Sequence, residues 1–378
     1  MILAGAGITA PLWAAMKYER RGACRRVQGA LRGGVQPRDA AVLLAGQRAG
    51  AGQVQVREGL AIRLSSSANR PLPNGIEPKA HCLNYVETGV FPKWVKGDVK
   101  REKELVENRF RELAERYARR IPMWEVTNET LGRSKKKDEL SSFFSAPDFI
   151  EWNYKTAAKY FTSNRLVIND NNPNVMVNYK GTGSAYYKLI KDALGKGCRI
   201  DGIGIQSHWL WKLGDKSFGK RVKTLYDPQF MFRLLDTYAK FGKPIQITEI
   251  TIPAFSTDPG DEAVQAEIVR NLYSVWFSHK AMEAIIYWDL ADAYTWLPKW
   301  CGALCRSDMS PKPAYKAICD LFGREWRTNF DRDAAGGRMS FRVFCGTYEV
   351  EATSNGRTVK RQFHVGRENP APVCIAIA

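Results

Sequence analysis

The chain has 378 residues, 44% of them hydrophobic and 25% charged, a balance that suits a soluble globular protein with a large core. No run of about 18 consecutive apolar residues occurs, which excludes an apolar membrane-spanning helix read from sequence. The net charge of +18 raises nucleic acid as a partner, but residues 1–70 alone carry ten Arg and one Lys against three carboxylates. No nucleic-acid motif accompanies that bias, so a basic, solvated surface is the better reading.

Eight cysteines are scattered without CxxC or Cys/His zinc spacing, and with only four histidines a His-rich metal site is not expected. Cys301 and Cys305 flank a Gly-Ala-Leu step and either form a local disulfide or stay as reduced thiols.

Residues 1–70 are rich in Ala, Gly and Arg and lack sustained periodicity; they read as a poorly ordered extension. Met1–Met16 is apolar without a basic flank, a weak leader signal. Within this segment only Gly50–Leu64 alternates in the manner of a strand.

From about Asn74 the pattern changes. Apolar runs at Ala80–Tyr85, Met123–Asn128, Leu166–Ile168, Gly202–Gln206, Ile245–Ile250 and Ala284–Trp288 predict strands. Between and after them, amphipathic stretches predict helices near Val99–Arg119, Pro147–Tyr160, Tyr186–Leu194, Pro228–Phe241, Asp261–His279 and Pro313–Phe322. Strict alternation of short apolar strands with helices points to a parallel sheet covered by helices, as in a barrel. Beyond Phe322 the pattern alternates through Met339–Phe344, Tyr348–Ala352 and Val359–Val365, with an Asn355-Gly356 turn, and predicts a small antiparallel meander. The expected organisation is thus an extension over 1–70, a barrel over 71–325 and a β-meander over 326–378.

Polar residues cluster just past the strand ends: Asn128-Glu129, Asn169-Asp170, Gln206-Ser207-His208, Glu249 and Asp289. In a parallel barrel that rim is where sites are built. Two carboxylates, Glu129 and Glu249, each terminate an apolar strand, where desolvation is costly. Such a pair facing across a barrel mouth is what glycoside hydrolysis needs: one carboxyl attacks the anomeric carbon and the other protonates the leaving oxygen.

The ordered set Trp124-Glu-Val-Thr-Asn-Glu129, Ile168-Asn-Asp, Ile200-Asp-Gly-Ile-Gly-Ile-Gln-Ser-His208, Ile247-Thr-Glu-Ile, Tyr287-Trp288 with Asp292 and Trp296, and Ser310-Pro-Lys-Pro-Ala-Tyr315 resembles family 10 glycoside hydrolases. The resemblance covers roughly residues 75–323. It implies an α/β (β/α)8 TIM barrel and a retaining endo-β-1,4-xylanase that uses no metal and no cofactor. Glu129 would be the acid/base and Glu249 the nucleophile. Asn128 matches the residue that binds the sugar 2-OH, while Gln206 and His208 match groups around the nucleophile. Trp288 and Trp296 match the tryptophans walling the cleaved sugar, His81 the histidine of a substrate-binding strand, and Trp94 a cleft tryptophan. Trp209 and Trp211 either form a sugar platform on the leaving side or pack within their loop. The implied partner is xylan or xylo-oligosaccharides, with no nucleic acid and no membrane, bound by a secreted or extracytoplasmic monomer.

The chain departs from the family pattern at its N-terminal side. Residues 1–70 hold no Glu-Asn dipeptide of the kind that grips sugar from the first two strands. Asn84-Tyr85-Val86 stands where Val-Trp-His is usual. The barrel is therefore expected to be incomplete or altered in its first two βα units, and a catalytically impaired, truncated member that folds poorly or only binds xylan is the alternative.

Overall fold

A computed structural model describes residues 77–85, 98–135, 142–171, 173–210, 218–295, 297–326, 344, 346–354 and 357–365. The expected strand at Gly50–Leu64, the leader-like Met1–Met16, most of Met339–Phe344, Trp94, Trp211 and Trp296 lie outside them.

The core is one parallel sheet. Its first stave is broken into β1 (Lys79–Ala80) and β2 (Asn84–Tyr85), both paired to the same neighbour. Leu83 keeps that pairing across the break by donating its N–H to the Glu125 carbonyl (2.8 Å). The remaining staves are β3 (Met123–Asn128), β4 (Arg165–Asp170), β5 (Gly202–His208), β6 (Ile245–Thr251) and β7 (Met282–Ile285), hydrogen-bonded in chain order. Successive strands that pair in order, each followed by a helix, are the repeating unit of a (β/α)8 barrel. Among the described residues six such staves are present, with β1/β2 and β7 at the two margins.

The sheet curls strongly enough for side chains of non-adjacent staves to meet across the lumen. Arg165 on β4 reaches Glu283 on β7, and the His81 and Trp288 rings make an edge contact at 5.2 Å. Lower in the lumen, Gln246 Nε2 approaches Met123 Sδ at 3.0 Å. Gly204 is required at this level. A Cβ there would sit 2.5 Å from Asn169 Oδ1 and 2.8 Å from Thr248 Cγ2.

Helices α1 (Val99–Tyr117), α2 (Ser142–Ser145), α3 (Phe149–Tyr160), α4 (Ala185–Gly195), α5 (Phe218–Tyr226), α6 (Pro228–Ala239), α7 (Pro259–Ser278) and α8 (Pro313–Asp320) accompany the strands. Three begin on aspartate caps whose carboxylates accept otherwise unpaired first-turn amides: Asp98 from Arg101, Asp227 from Gln229 and Asp258 from Gly260. In the last two a proline follows immediately, where its missing N–H costs nothing. The apolar faces close on the sheet through Phe110, Tyr154, Tyr186, Leu234, Leu272 and Trp276, all buried.

Some expectations shift. The sixth predicted strand forms earlier, at Met282–Ile285, which leaves Trp288 beyond the strand in the rim. Helix α5 was not anticipated. Cys301 and Cys305 are free thiols, and burial pushes the Cys305 thiol up to about 12. In the C-terminal segment, β8 (Gly346–Ser354) and β9 (Arg357–Val365) form an antiparallel pair with Ser354 opposite Arg357.

Candidate active site

Four consecutive staves carry the polar centre at the C-terminal rim. Register places Asn128 of β3 beside Asn169 of β4, Gln206 of β5 beside Glu249 of β6, and His208 beside Thr251. All six are buried. Glu129 follows β3 in the left-handed region (φ 55°), a strained conformation for a residue with a side chain and one that recurs at functional sites. Its N–H is tied to the Asn169 carbonyl at 3.2 Å, which anchors the turn to the next strand.

Two side-chain amides organise the carboxylates. Gln206 Nε2 donates towards Glu129 Oε1 (3.1 Å), Glu249 Oε1 (3.0 Å) and Asn128 Oδ1 (3.2 Å). Asn169 Nδ2 faces Asn128 Oδ1 (2.9 Å), Glu249 Oε1 (3.1 Å) and Glu125 Oε2 (3.4 Å). Four N–H bonds thus serve four oxygens, with Asn128 and Glu249 shared between the amides. Thr248 donates to Asn169 Oδ1 at 2.7 Å, which fixes which end of that amide faces the carboxylates. Because Glu129 Oε1 and Glu249 Oε1 both lie within hydrogen-bond reach of one nitrogen, they are no more than about 6 Å apart.

The two carboxylates have different surroundings. Burial raises the Glu129 pKa; its hydrogen bond from Gln206 works against this, and the Glu249 charge adds to the rise. Glu249 receives both amides on Oε1 and faces His208 Nε2 on Oε2 at 3.1 Å. His208 Nδ1 in turn meets Thr251 Oγ1 at 3.0 Å, and the Thr251 hydroxyl lies 3.1 Å from Asp289 Oδ2.

A second charged group lies beneath. Glu125, inward from β3, pairs with Lys79 and with His81 Nδ1 (2.6 Å), and His81 Nδ1 stands 3.9 Å from Glu249 Oε1. Burial alone would raise the Glu125 pKa, but Lys79 and His81 outweigh it and hold the carboxyl at about 2. Burial would lower that of His81, and the Glu125 charge overcomes this and raises it. His81, Glu125 and Glu249 are close enough in principle to share a metal ion, yet Lys79 already neutralises Glu125 from within the cluster.

Among the residues singled out from sequence, Asn128, Glu129, Gln206, His208, Glu249, His81 and Trp288 converge on one mouth. Trp288 presents its ring to the edges of His81 (5.2 Å) and His208 (6.2 Å). Trp209 goes elsewhere: it is 3% exposed and its ring packs on Tyr226, so it occupies the loop-packing position of the two alternatives. Sequence reasoning placed Asn169 and Asp289 on the rim without a role, and left Glu125, Lys79, Thr248 and Thr251 out of the site. The available signal was period-two placement. Gln246 and Thr248 point into the lumen on either side of the outward Ile247, as Glu125 does between Trp124 and Val126.

The chain matches glycosyl hydrolase family 10 over residues 64–321. It is 30% identical over 247 residues to endo-1,4-beta-xylanase A of Caldicellulosiruptor saccharolyticus, covering 60% of this chain and 67% of that one. Anti-sigma-I factor RsgI6 of Acetivibrio thermocellus is 24% identical over 291 residues, 75% of this chain but 34% of that protein. Among solved structures, xylanase 10B of Thermotoga petrophila in complex with xylobiose superposes with a TM-score of 0.61 at 20% identity, over 85% of this chain and 95% of that one. Native xylanase 10B of Thermotoga maritima gives 0.53 at 23% identity, over 67% and 76%. A parallel barrel with its carboxylates on the second and fifth described staves, and a match across more than half the sequence, lead to one assignment: the chain belongs to glycosyl hydrolase family 10.

Proposed function

We propose that the chain is a retaining endo-β-1,4-xylanase, with Glu249 as nucleophile and Glu129 as acid/base. The observation that carries this reading is the single Gln206 amide bridging both carboxylates. It brings one oxygen of each to within about 6 Å of the other, an upper bound that accommodates the roughly 5–5.5 Å of a double displacement.

Glu249 attacks the anomeric carbon while Glu129, protonated because it is buried beside a negative charge, gives its proton to the departing glycosidic oxygen. Glycosylation removes the Glu249 charge, so the Glu129 pKa falls and its carboxylate takes a proton from the incoming water. Asn128 has its oxygen occupied by two amides, which turns its Nδ2–H towards a sugar hydroxyl. Trp288 offers an aromatic face to the pyranose C–H surface. A polysaccharide substrate does not cross membranes, so the site of action is extracytoplasmic.

Family membership alone leaves open a chain that binds xylan without cleaving it. Release of reducing sugar from xylan by the full chain and by Glu249→Ala separates the two. Activity in the first and background in the second is expected; background in both would overturn the enzyme reading.

A further inference from the structure

We propose that Thr251 and Asp289 are positioning residues for the nucleophile: the Thr251 hydroxyl passes one proton between Asp289 and His208 Nδ1, so that His208 offers an Nε2–H to Glu249 in either state. The inference rests on reading Glu249 as the nucleophile.

The four groups form an unbroken, buried line. Glu249 Oε2 meets His208 Nε2 at 3.1 Å, His208 Nδ1 meets Thr251 Oγ1 at 3.0 Å, and Thr251 Oγ1 meets Asp289 Oδ2 at 3.1 Å. None of the four is more than 7% exposed, so water does not readily substitute for a missing partner. Thr251 is held in this orientation. The absence of a Cβ at Gly302 makes room for its methyl, since a Cβ there would lie 2.6 Å from Thr251 Cγ2.

Hydrogen counting gives two self-consistent arrangements. With Asp289 ionised, Thr251 donates to Asp289 and its oxygen accepts from His208 Nδ1–H. His208 then carries a second hydrogen on Nε2 for Glu249 and is an imidazolium. With Asp289 protonated, its O–H donates to Thr251, and Thr251 donates to a bare Nδ1. The neutral ring then keeps its single hydrogen on Nε2, again facing Glu249. Interconversion breaks the Asp289 O–H bond and forms a Thr251 O–H bond, while the former Thr251 O–H breaks and Nδ1–H forms. Negative charge appears on Asp289 and positive charge on His208, with no change of oxidation state.

Taking that one proton away is costly. Asp289 would claim the Thr251 hydrogen, and a neutral imidazole would have one hydrogen for two oxygen neighbours. Either Thr251 or Glu249 would then face a bare ring nitrogen. His208 is faced by Glu249 and Thr251 from β6, Asp289 beyond β7 and Glu129 beyond β3. Asp292, near Asp289, is paired with Lys312 at 2.6 Å. Burial, opposed in part by the Thr251 hydrogen bond, pushes Asp289 up to about 6, within reach of a shared proton.

The test is long-range 1H–15N NMR on the full chain labelled at histidine, with the His208 signals among the four histidines identified from a His208→Asn spectrum. In the unsubstituted chain Nε2 is expected to stay protonated from about pH 5 to 8. Asp289→Asn, which cannot carry the negative charge that balances an imidazolium at His208, is expected to shift Nδ1 towards its unprotonated value. The same substitution in a Thr251→Val background is expected to leave Nδ1 where it is. A bare Nε2 in the unsubstituted chain, no response to Asp289→Asn, or an equal response with and without Thr251 would each overturn the relay. The readout needs no turnover, so failure of the relay and failure of the xylanase reading are seen separately, and the first measurement needs no relay variant to fold.

Discussion

Replacing Gln206 by alanine tests the electrostatic logic of the centre. Gln206 Nε2 lies 3.1 Å from Glu129 Oε1, and this bond favours the ionised form of Glu129. A hydrogen bond to a charged acceptor contributes about 1.5–3 kcal/mol, against about 0.5–1.5 kcal/mol for a neutral one. The difference is on the order of 1–1.5 kcal/mol, or about one pKa unit. Glu129 must be protonated to donate, so kcat/KM falls as pH rises through its pKa. Removing a partner that stabilises the anion raises that pKa, and the alkaline limb of the profile moves up by about one unit. The plateau also drops, by roughly 10- to 100-fold, because Glu249 loses an amide and the spacing of the two carboxylates loses its clamp. The assay is kcat/KM against pH on a soluble xylo-oligosaccharide for both forms of the full chain. An alkaline limb that stays in place, or moves down, in a folded Gln206→Ala protein would refute the reasoning.

Glu129→Ala should lower hydrolysis of xylan by about 10²–10⁴-fold, and far less for an aryl xyloside whose phenol leaves without protonation; equal losses on both would remove Glu129 from the acid role. Lys79→Met strips the buried Glu125 of its strongest partner while His81 remains, and should cost about 3 kcal/mol, read from urea midpoints. With the Glu125 pKa depressed from 4.5 to about 2, its stabilisation is present above about pH 4.5 and is lost as pH falls towards 2; in the variant that loss should begin at higher pH. Gly204→Ala should destabilise by about 1–3 kcal/mol and lower kcat as well, since the new Cβ displaces Asn169 from the carboxylates; unchanged kcat in a folded variant would show that the Asn169 amide is not what holds Glu249.

The strands with continuous apolar runs were legible because burial on both faces leaves a simple signature. Met123–Asn128 forms as its pattern predicts, and Ile245–Thr251 exceeds its prediction by one residue. The helix predicted from Pro228 starts there, whereas the one predicted from Asp261 starts two residues earlier at Pro259, also behind an aspartate cap. The break between β1 and β2 was not legible, since Leu83 pairs across it and the apolar pattern continues. Within the site, Glu129 and Glu249 stood out because a carboxylate ending an apolar strand is conspicuous. Thr251 did not, and Asn169 was read only as part of the rim. Their importance depends on register, Asn128 beside Asn169 and His208 beside Thr251, which one strand read by itself does not contain.

The two carboxylates and the amides between them sit on four neighbouring strands, β3 to β6, joined by hydrogen-bond ladders that shift register at Glu125/Thr127 and at Ile205/Gln206. A ladder transmits distance: moving Glu249 relative to Glu129 means shearing three strand pairs at once. The backbone spacing of the two carboxylates is therefore set along the arc β3 to β6, to which β1, β2 and β7 add only side-chain contacts through His81 and Asp289. Alterations on those margins should change which sugars are held and how tightly, while the gap across which the glycosidic bond is cut keeps its width. In protein engineering terms, the arc is the portion to transplant intact, and the margins are the portion open to rewriting.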